Sequence, residues 1–181
     1  MKRILSLVLV FCFAFCLVSC KKDRTNGDSV DISYYANLGQ IPECEYKLGQ
    51  DADTVIEELT EKSEKDGASE EDFCDVFEGE KVTKIITSNA HYIYKNGEKK
   101  ISKIVVFDEV YGFPIGTDMN TVKKSQEQFD LTGEEVSLTE EEARDFSGNS
   151  SCTYLEFDFE KSTVIFAYED NALIGASIKS K

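Results

Sequence analysis

The spacing of apolar residues alternates between a helical and a strand period along the chain. The first helical run has apolar residues at positions i, i+3, i+4 and i+7, namely Ala52, Val55, Ile56 and Leu59. After residue 80 the pattern changes to short runs rich in β-branched and aromatic residues, which are typical of strands. These runs cover residues 81–88, 91–95 and 101–109. The pattern therefore predicts a helix followed by three strands, with Asn96 and Gly97 in a hairpin turn.

A second helix is predicted between the first helix and the strands. Ser69 precedes the run EEDFCDVF and has Asp72 three residues later, which approximates a capping box. Val76 and Phe77 lie on the apolar face of this helix, and Gly79 is placed to end it.

The same series of signals then occurs again. GQDADTV at residues 49–55 shares its Gly, first Asp, Thr and Val with GTDMNTV at residues 116–122. Asp51 and Asp118 are therefore predicted to be the N-caps of two equivalent helices. A second helix capped by Thr139 follows, and then come three strands. These strands are predicted over residues 152–159, 163–169 and 172–180.

These signals predict an α+β fold of two tandem helix-helix-β-β-β units, residues 45–112 and 113–181. The helices are expected on one face of an antiparallel sheet, because an apolar sheet face needs to be covered. A unit of about 65 residues is marginal alone, so the two units are expected to join edge to edge.

Alternation within the strand at 152–159 predicts which sheet face is available to a partner. Leu155, Phe157 and Phe159 point one way, toward the expected helices. Three other side chains point the opposite way and form the predicted partner-binding face. They are Tyr154, Glu156 and Asp158.

The first twenty residues predict export and lipid anchoring. Lys2 and Arg3 precede an almost wholly apolar stretch, residues 4–18, which is short for a transmembrane helix but suits a signal peptide. The stretch ends in LVSC, which resembles a bacterial lipobox, so cleavage is expected after residues 1–19, with lipid on Cys20. The alternatives are an ordinary signal peptide with a chance cysteine, or an uncleaved anchor helix.

The polar residues after Cys20 predict a tether, residues 20–44, that connects a lipid anchor to the folded units. The expected location is therefore the bacterial cell envelope, with the folded part outside the cytoplasmic membrane and held to it by lipid.

The charge of the chain limits its partners. The whole chain has 20 basic and 35 acidic residues. Removal of residues 1–19 takes away Lys2 and Arg3, which leaves 18 minus 35, or −17. Such a chain repels phosphate backbones, so no nucleic-acid partner is predicted. The charge is expected to steer a basic protein partner toward the chain.

The sequence contains no recognisable catalytic or metal-binding set, so no enzyme activity, metal or cofactor is predicted. His91 is the single histidine, and no G-x-S-x-G or P-loop motif occurs. The run beginning at Asp51 starts like a calcium loop, but Val55 stands where an oxygen ligand is required.

Three cysteines remain after Cys20 is used for lipid, so at most one disulfide can form within the chain. Cys44 and Cys74 are the predicted pair if one forms, because a helical hairpin would bring them together, and Cys152 would stay free. The alternative is three buried thiols that act as small apolar side chains.

The helix-start motifs resemble those of a known group of lipoproteins. Gly49, Asp51 and Val55, with their counterparts at residues 116–122, are similar to the outer-membrane assembly lipoprotein family (BamE, also called SmpA/OmlA). Two such units in tandem resemble the β-lactamase inhibitory protein fold, over about residues 45–180. The resemblance implies a protein-binding sheet face or an accessory role in an envelope complex.

The predicted function is therefore that of a lipid-anchored, non-catalytic protein-binding module of the cell envelope, with inhibition of the partner as one form of such binding. The alternative is an accessory subunit of an envelope assembly or transport complex.

Overall fold

A computed structural model describes residues 30–65, 74–146 and 152–181. In this part of the chain eight strands form an antiparallel sheet in the order β1-β2-β3-β4-β8-β7-β6-β5. The helices are α1 (Ile32–Leu38), α2 (Ala52–Ser63), α3 (Met119–Glu127) and the single turn α4 (Glu140–Ala143). The strands are β1 (Cys74–Glu78), β2 (Val82–Thr87), β3 (Ala90–Lys95), β4 (Ile101–Val106), β5 (Glu134–Val136), β6 (Thr153–Asp158), β7 (Ser162–Glu169) and β8 (Ala172–Ser180).

The prediction of two helix-helix-β-β-β units is wrong, since the described chain is dominated by one eight-stranded sheet. Cys74–Glu78, predicted as the second half of a helix, is strand β1, which pairs with β2 so that Val76 lies opposite Ile85. Pairing with a neighbouring strand overrides the helical spacing of this short run. The proposed cap Ser69 lies outside the described residues.

The helix starts at the two repeated motifs are confirmed. Asp51 accepts a hydrogen bond from the Thr54 amide at 3.2 Å and caps α2. Asp118 accepts one from the Thr121 amide at 3.0 Å and caps α3. In each case the carboxylate satisfies an amide that has no partner within the helix, as the sequence predicted.

Helix α1 lies within residues 20–44, which the sequence predicted to be a tether. Asp31 caps it through a 2.9 Å hydrogen bond from the Ser33 amide, and Gly39 ends it with a φ of 68°. Ile32 and Ala36 lie one turn apart and are buried. These signals, an Asp before the helix and a Gly after it, are present in the sequence and are the usual ends of a short helix.

The strand order is symmetrical about the β4–β8 pair. Each half has four strands and one longer helix, α2 with β1 to β4 and α3 with β5 to β8, and the second half also contains the single turn α4. The halves join edge to edge, with Ile104 of β4 opposite Ile178 of β8. The predicted boundary between residues 112 and 113 falls in the segment that connects β4 to α3.

The main hydrophobic core lies between this sheet and helices α1 to α3. It contains buried residues of the helices, such as Val55 and Val122, and strand residues such as Leu155 and Phe157. Phe159 packs at its margin. We call the face of the sheet that packs against these helices the helix side, and the other face the opposite face.

A smaller cluster lies on the opposite face. Tyr154, Ile165 and Ala167 are buried there, because residues 137–146 pack over them. We call residues 137–146 the strap. Its one turn of helix, α4, begins with a capping box in which Thr139 and Glu142 bind each other's backbone amides, so this cap prediction is confirmed.

Candidate functional site: the sheet face opposite the helices

One row of side chains crosses the opposite face from the edge strand β1 to β6, the strand next to the other edge. The register of the strands places its members directly opposite one another, since side chains of paired residues share a face. In order across the sheet they are Phe77, Lys84, Ile93, Lys103, Lys179, Thr163 and Asp158. Three of the seven are lysines, in a chain whose overall charge is strongly negative. We call Lys84, Lys103 and Lys179 the lysine row.

Carboxylates of the strap bind every member of the lysine row. Asp145 lies between two lysines, 2.8 Å from Lys84 Nζ and 2.6 Å from Lys103 Nζ. Glu142 Oε1 lies 2.9 Å from Lys179 Nζ. The strap therefore crosses from the β5–β6 edge of the sheet to its centre, and its two carboxylates pair with all three lysines.

The pKa values of both carboxyl groups reflect these contacts. Burial alone would raise the pKa of Asp145, but hydrogen bonds from Lys103 and Lys84 outweigh it, and the pKa is lowered. The hydrogen bond from Lys179, assisted by Thr139, lowers the pKa of Glu142 to about 2. Both groups are therefore ionised near neutral pH, which maintains the ion pairs with the lysine row.

The three residues predicted to bind a partner occupy different environments. Tyr154 is only 5% exposed, because the strap covers it and its ring packs 6.0 Å from that of Phe146. Burial raises the pKa of Tyr154 to about 12. Glu156 is half-buried beside Ile165 on β7. Asp158 is exposed, lies 2.8 Å from Lys181 Nζ and accepts a hydrogen bond from Thr163.

The β1 end of the same face is open. Phe77 has 61% of its surface exposed and stands on the strand at the edge of the sheet. Its cross-strand neighbour is Lys84, the first member of the lysine row. Asp75 and the half-buried Ile86 form the adjoining pair on this face. Sequence reasoning missed Phe77, because the helical interpretation of this segment placed its ring in a core.

His91, the one histidine, also lies on this face. Its ring contacts the ring of Phe107 at 4.9 Å between centroids. Burial and the nearby Lys84 lower its pKa, against an opposing effect of Asp145. The histidine is therefore neutral near pH 7 and packs against an aromatic ring. In residues 30–65, 74–146 and 152–181, no three His, Cys, Asp or Glu side chains group as metal ligands.

A cavity of about 650 Å³ lies between the strap and the β5–β6 edge. Its walls include Leu138, Arg144, Cys152 and Tyr154. The cavity shows that the strap does not pack closely against the sheet along its whole length.

Cys44, Cys74 and Cys152 form no disulfide in the structure, so the predicted bond between Cys44 and Cys74 is absent. Cys44 is buried in the main core beside Tyr92, and burial raises the pKa of its thiol to about 12. Cys74, on the edge strand, is partly exposed, and burial raises its pKa by less. The predicted lipidation site, Cys20, lies outside the described residues.

Comparisons with protein-family models, curated proteins and solved structures gave no match. The resemblance to the assembly lipoproteins and to the inhibitory protein fold therefore stays a prediction from the helix-start motifs. Among the described helices, none is long and apolar enough to cross a membrane.

Proposed function

We propose that this chain is a lipid-anchored protein-binding module of the bacterial cell envelope, and that it contacts its partner through the open end of the opposite face. The observation that carries the proposal is Phe77, a 61% exposed aromatic side chain beside Lys84 on a sheet edge. Exposed aromatic rings are enriched among the residues that anchor protein interfaces.

The local geometry suits a protein better than a small molecule. Phe77 projects from an edge strand rather than into an enclosed cavity, and β1 ends the sheet among the described residues. An edge strand offers unpaired backbone groups to an extended segment of a partner. Full burial of one aromatic side chain contributes about 1.5–3 kcal/mol, so Phe77 would be an anchor within a wider contact.

Photocrosslinking at single positions tests this contact. We replace Phe77 by photoreactive p-benzoylphenylalanine in the full chain and irradiate intact cells. Tyr34 on α1 is the matched control, because it is also an aromatic residue and is 59% exposed, but it lies on the helix side. A discrete crosslinked partner at position 77 and none at position 34 is the expected result.

Identical crosslinks at the two positions, or none at position 77, would rule out this surface. If the partner at position 77 copurifies with several envelope proteins as a stable complex, the module acts as an accessory subunit. A single partner free in the surroundings of the cell points to a recognition or inhibitory role.

The lipid anchor is tested by the Cys20→Ala variant. The sequence LVSC supplies the only thiol at the end of the apolar leader, so this variant should lose acylation, processing and membrane attachment. Radiolabelled fatty acid incorporation and membrane fractionation measure these effects. Continued labelling of the variant would contradict lipidation at this residue.

A further inference from the structure

The lysine row needs anions to neutralise it. Lys103 and Lys179 lie directly opposite each other on neighbouring strands, and Lys84 lies two strands from Lys103 with Ile93 between them. Like charges directly opposite each other destabilise a sheet. Lys103 is also only 13% exposed in its side chain, so water screens it poorly. Whatever covers this row must therefore present carboxylates.

The strap meets this need with two acidic residues three positions apart. Asp145 bridges Lys84 and Lys103, and Glu142 binds Lys179. Phe146, which follows Asp145, packs on Tyr154. The strap thus covers the row with the pattern E-x-x-D-F.

The structure of the strap suggests that this cover can be exchanged. Its regular structure is the single turn α4, and a cavity separates part of it from the β5–β6 edge. On the face that it covers, the Ser177 hydroxyl is buried and, among the described residues, has no hydrogen-bond partner. A closely fitted core element would leave fewer gaps and would satisfy such a group.

We propose that the lysine row is a binding site for an acidic segment of a partner protein, and that the strap occupies this site as an internal substitute. This inference rests on the proposed function, since Phe77 and Lys84 are neighbours and so the anchor and the row form one continuous surface. The partner segment carries two carboxylates at the spacing of Glu142 and Asp145, followed by an aromatic residue. The overall negative charge of the chain predicted a basic partner. The proposed contact surface is itself basic, so it suits an acidic segment instead.

A peptide with the strap sequence SLTEEEARDF is the probe. It is titrated into the isotopically labelled full chain, and binding is followed by chemical shifts of β2, β4 and β8. In the parent chain the attached strap competes at high effective concentration. In the chain with Glu142→Gln and Asp145→Asn the attached strap loses its ion pairs, and we expect the peptide to bind at least about tenfold more tightly than in the parent.

We call the chain with Glu142→Gln and Asp145→Asn the released chain. Two controls separate recognition of charge from a general loss of structure in the released chain. A peptide with Gln and Asn at the positions of Glu142 and Asp145 should not bind the released chain. Adding Lys103→Met to the released chain should abolish binding of the unaltered peptide. Equal binding of both peptides, or equal affinity of the parent and the released chain, would overturn the proposal.

Amide hydrogen exchange of a single variant tests the attachment of the strap even if the double variant does not fold completely. The single change Glu142→Gln should speed exchange in residues 139–146 while β4 and β8 stay protected. Unchanged exchange in the strap would show that it is a fixed part of the core and would overturn the proposal. A crosslink at position 77 without peptide binding removes this inference alone, whereas no crosslink at position 77 removes the proposed function.

Discussion

At the scale of single residues, Gly175 sets how closely the two halves and the strap approach. A Cβ at this position would lie 2.6 Å from the Val106 carbonyl oxygen and 3.6 Å from the Phe146 ring. The first contact is with backbone, which cannot move aside without disturbing β4. The hydrogen atom of Gly175 therefore permits the central strands and the strap to pack together.

We expect Gly175→Ala to lower the free energy of unfolding by about 1–3 kcal/mol, the usual cost of overpacking. Urea unfolding at constant pH measures it. Gly97→Ala is the matched control, because nothing lies within 4 Å of a Cβ there and its φ is not positive, so a change within about 0.5 kcal/mol is expected. Equal effects of the two changes would contradict the steric argument.

Tyr154 shows which residue properties the sequence predicts and which it does not. Strand alternation correctly placed Leu155 and Phe157 on the helix side, because a period of two is a local property of the backbone. It gave no information about what covers the other side. The strap folds back over Tyr154 from a separate segment, and this contact depends on tertiary structure that the alternation does not encode.

At the scale of elements, the strap is the one whose attachment should respond to pH. The pKa of Glu142 falls from its ordinary value of 4.5 to about 2 in the folded chain, mainly through Lys179. Between these two values the unfolded chain binds more protons than the folded one. The contribution of this group to stability is therefore complete above about pH 4.5 and is lost as the pH falls toward 2. Asp145 shifts in the same direction.

We therefore expect Glu142→Gln to destabilise the chain at pH 6 and to have a smaller effect at pH 3, where the parent has lost part of the same contribution. Unfolding in urea at pH 6, 4.5 and 3 measures the difference. Glu140→Gln is a suitable control, since the Glu140 side chain is 94% exposed and its contact with Arg144 is 3.8 Å. A Glu142→Gln effect that is constant over this range would contradict the assignment.

The strands that the sequence failed to predict are short and depend on pairing. All six strands at 81–109 and 152–180 were predicted from their runs of β-branched and aromatic residues, and α2 and α3 from their apolar spacing and Asp caps. Strand β1 has five residues and β5 has three, and each is defined by its neighbour, β2 or β6. A five-residue run offers too few positions to separate a helical from a strand period. Phe77, the key residue of the proposed site, was misassigned for this reason.

At the scale of the whole molecule, the two halves are joined by more than the β4–β8 pair. Helix α1 precedes the first half in sequence, but it packs on β7 of the second half. The Ala36 carbonyl accepts a hydrogen bond from Ser162 Oγ at 2.9 Å. The buried side chain of Gln126 on α3 binds the Ile32 amide at 3.2 Å and the Val30 carbonyl at 2.9 Å. The repeated motifs correctly predicted the starts of α2 and α3, but they predicted neither the single eight-stranded sheet nor this exchange of a helix.

This exchange predicts that neither half folds alone. A cut between Asp108 and Glu109, both exposed, leaves the first fragment with β4 paired only to β3, and with α1 uncovered where it packs on β7. It leaves the second fragment without the helix that covers β7 and with the buried edge of β8 open. Ile104 and Ile178, each 0% exposed in the intact chain, would both face water, and fragments of this size have little other core to compensate.

The cut should therefore give two fragments that lack cooperative unfolding when separate and regain it when mixed. Circular dichroism during thermal unfolding, with the uncut chain as reference, measures this for each fragment and for the equimolar mixture. Recovery in the mixture should depend on concentration, because association replaces a covalent connection. Cooperative unfolding of either fragment alone would show that the halves are independent domains, and the contacts of α1 with β7 and α3 would then be secondary to folding.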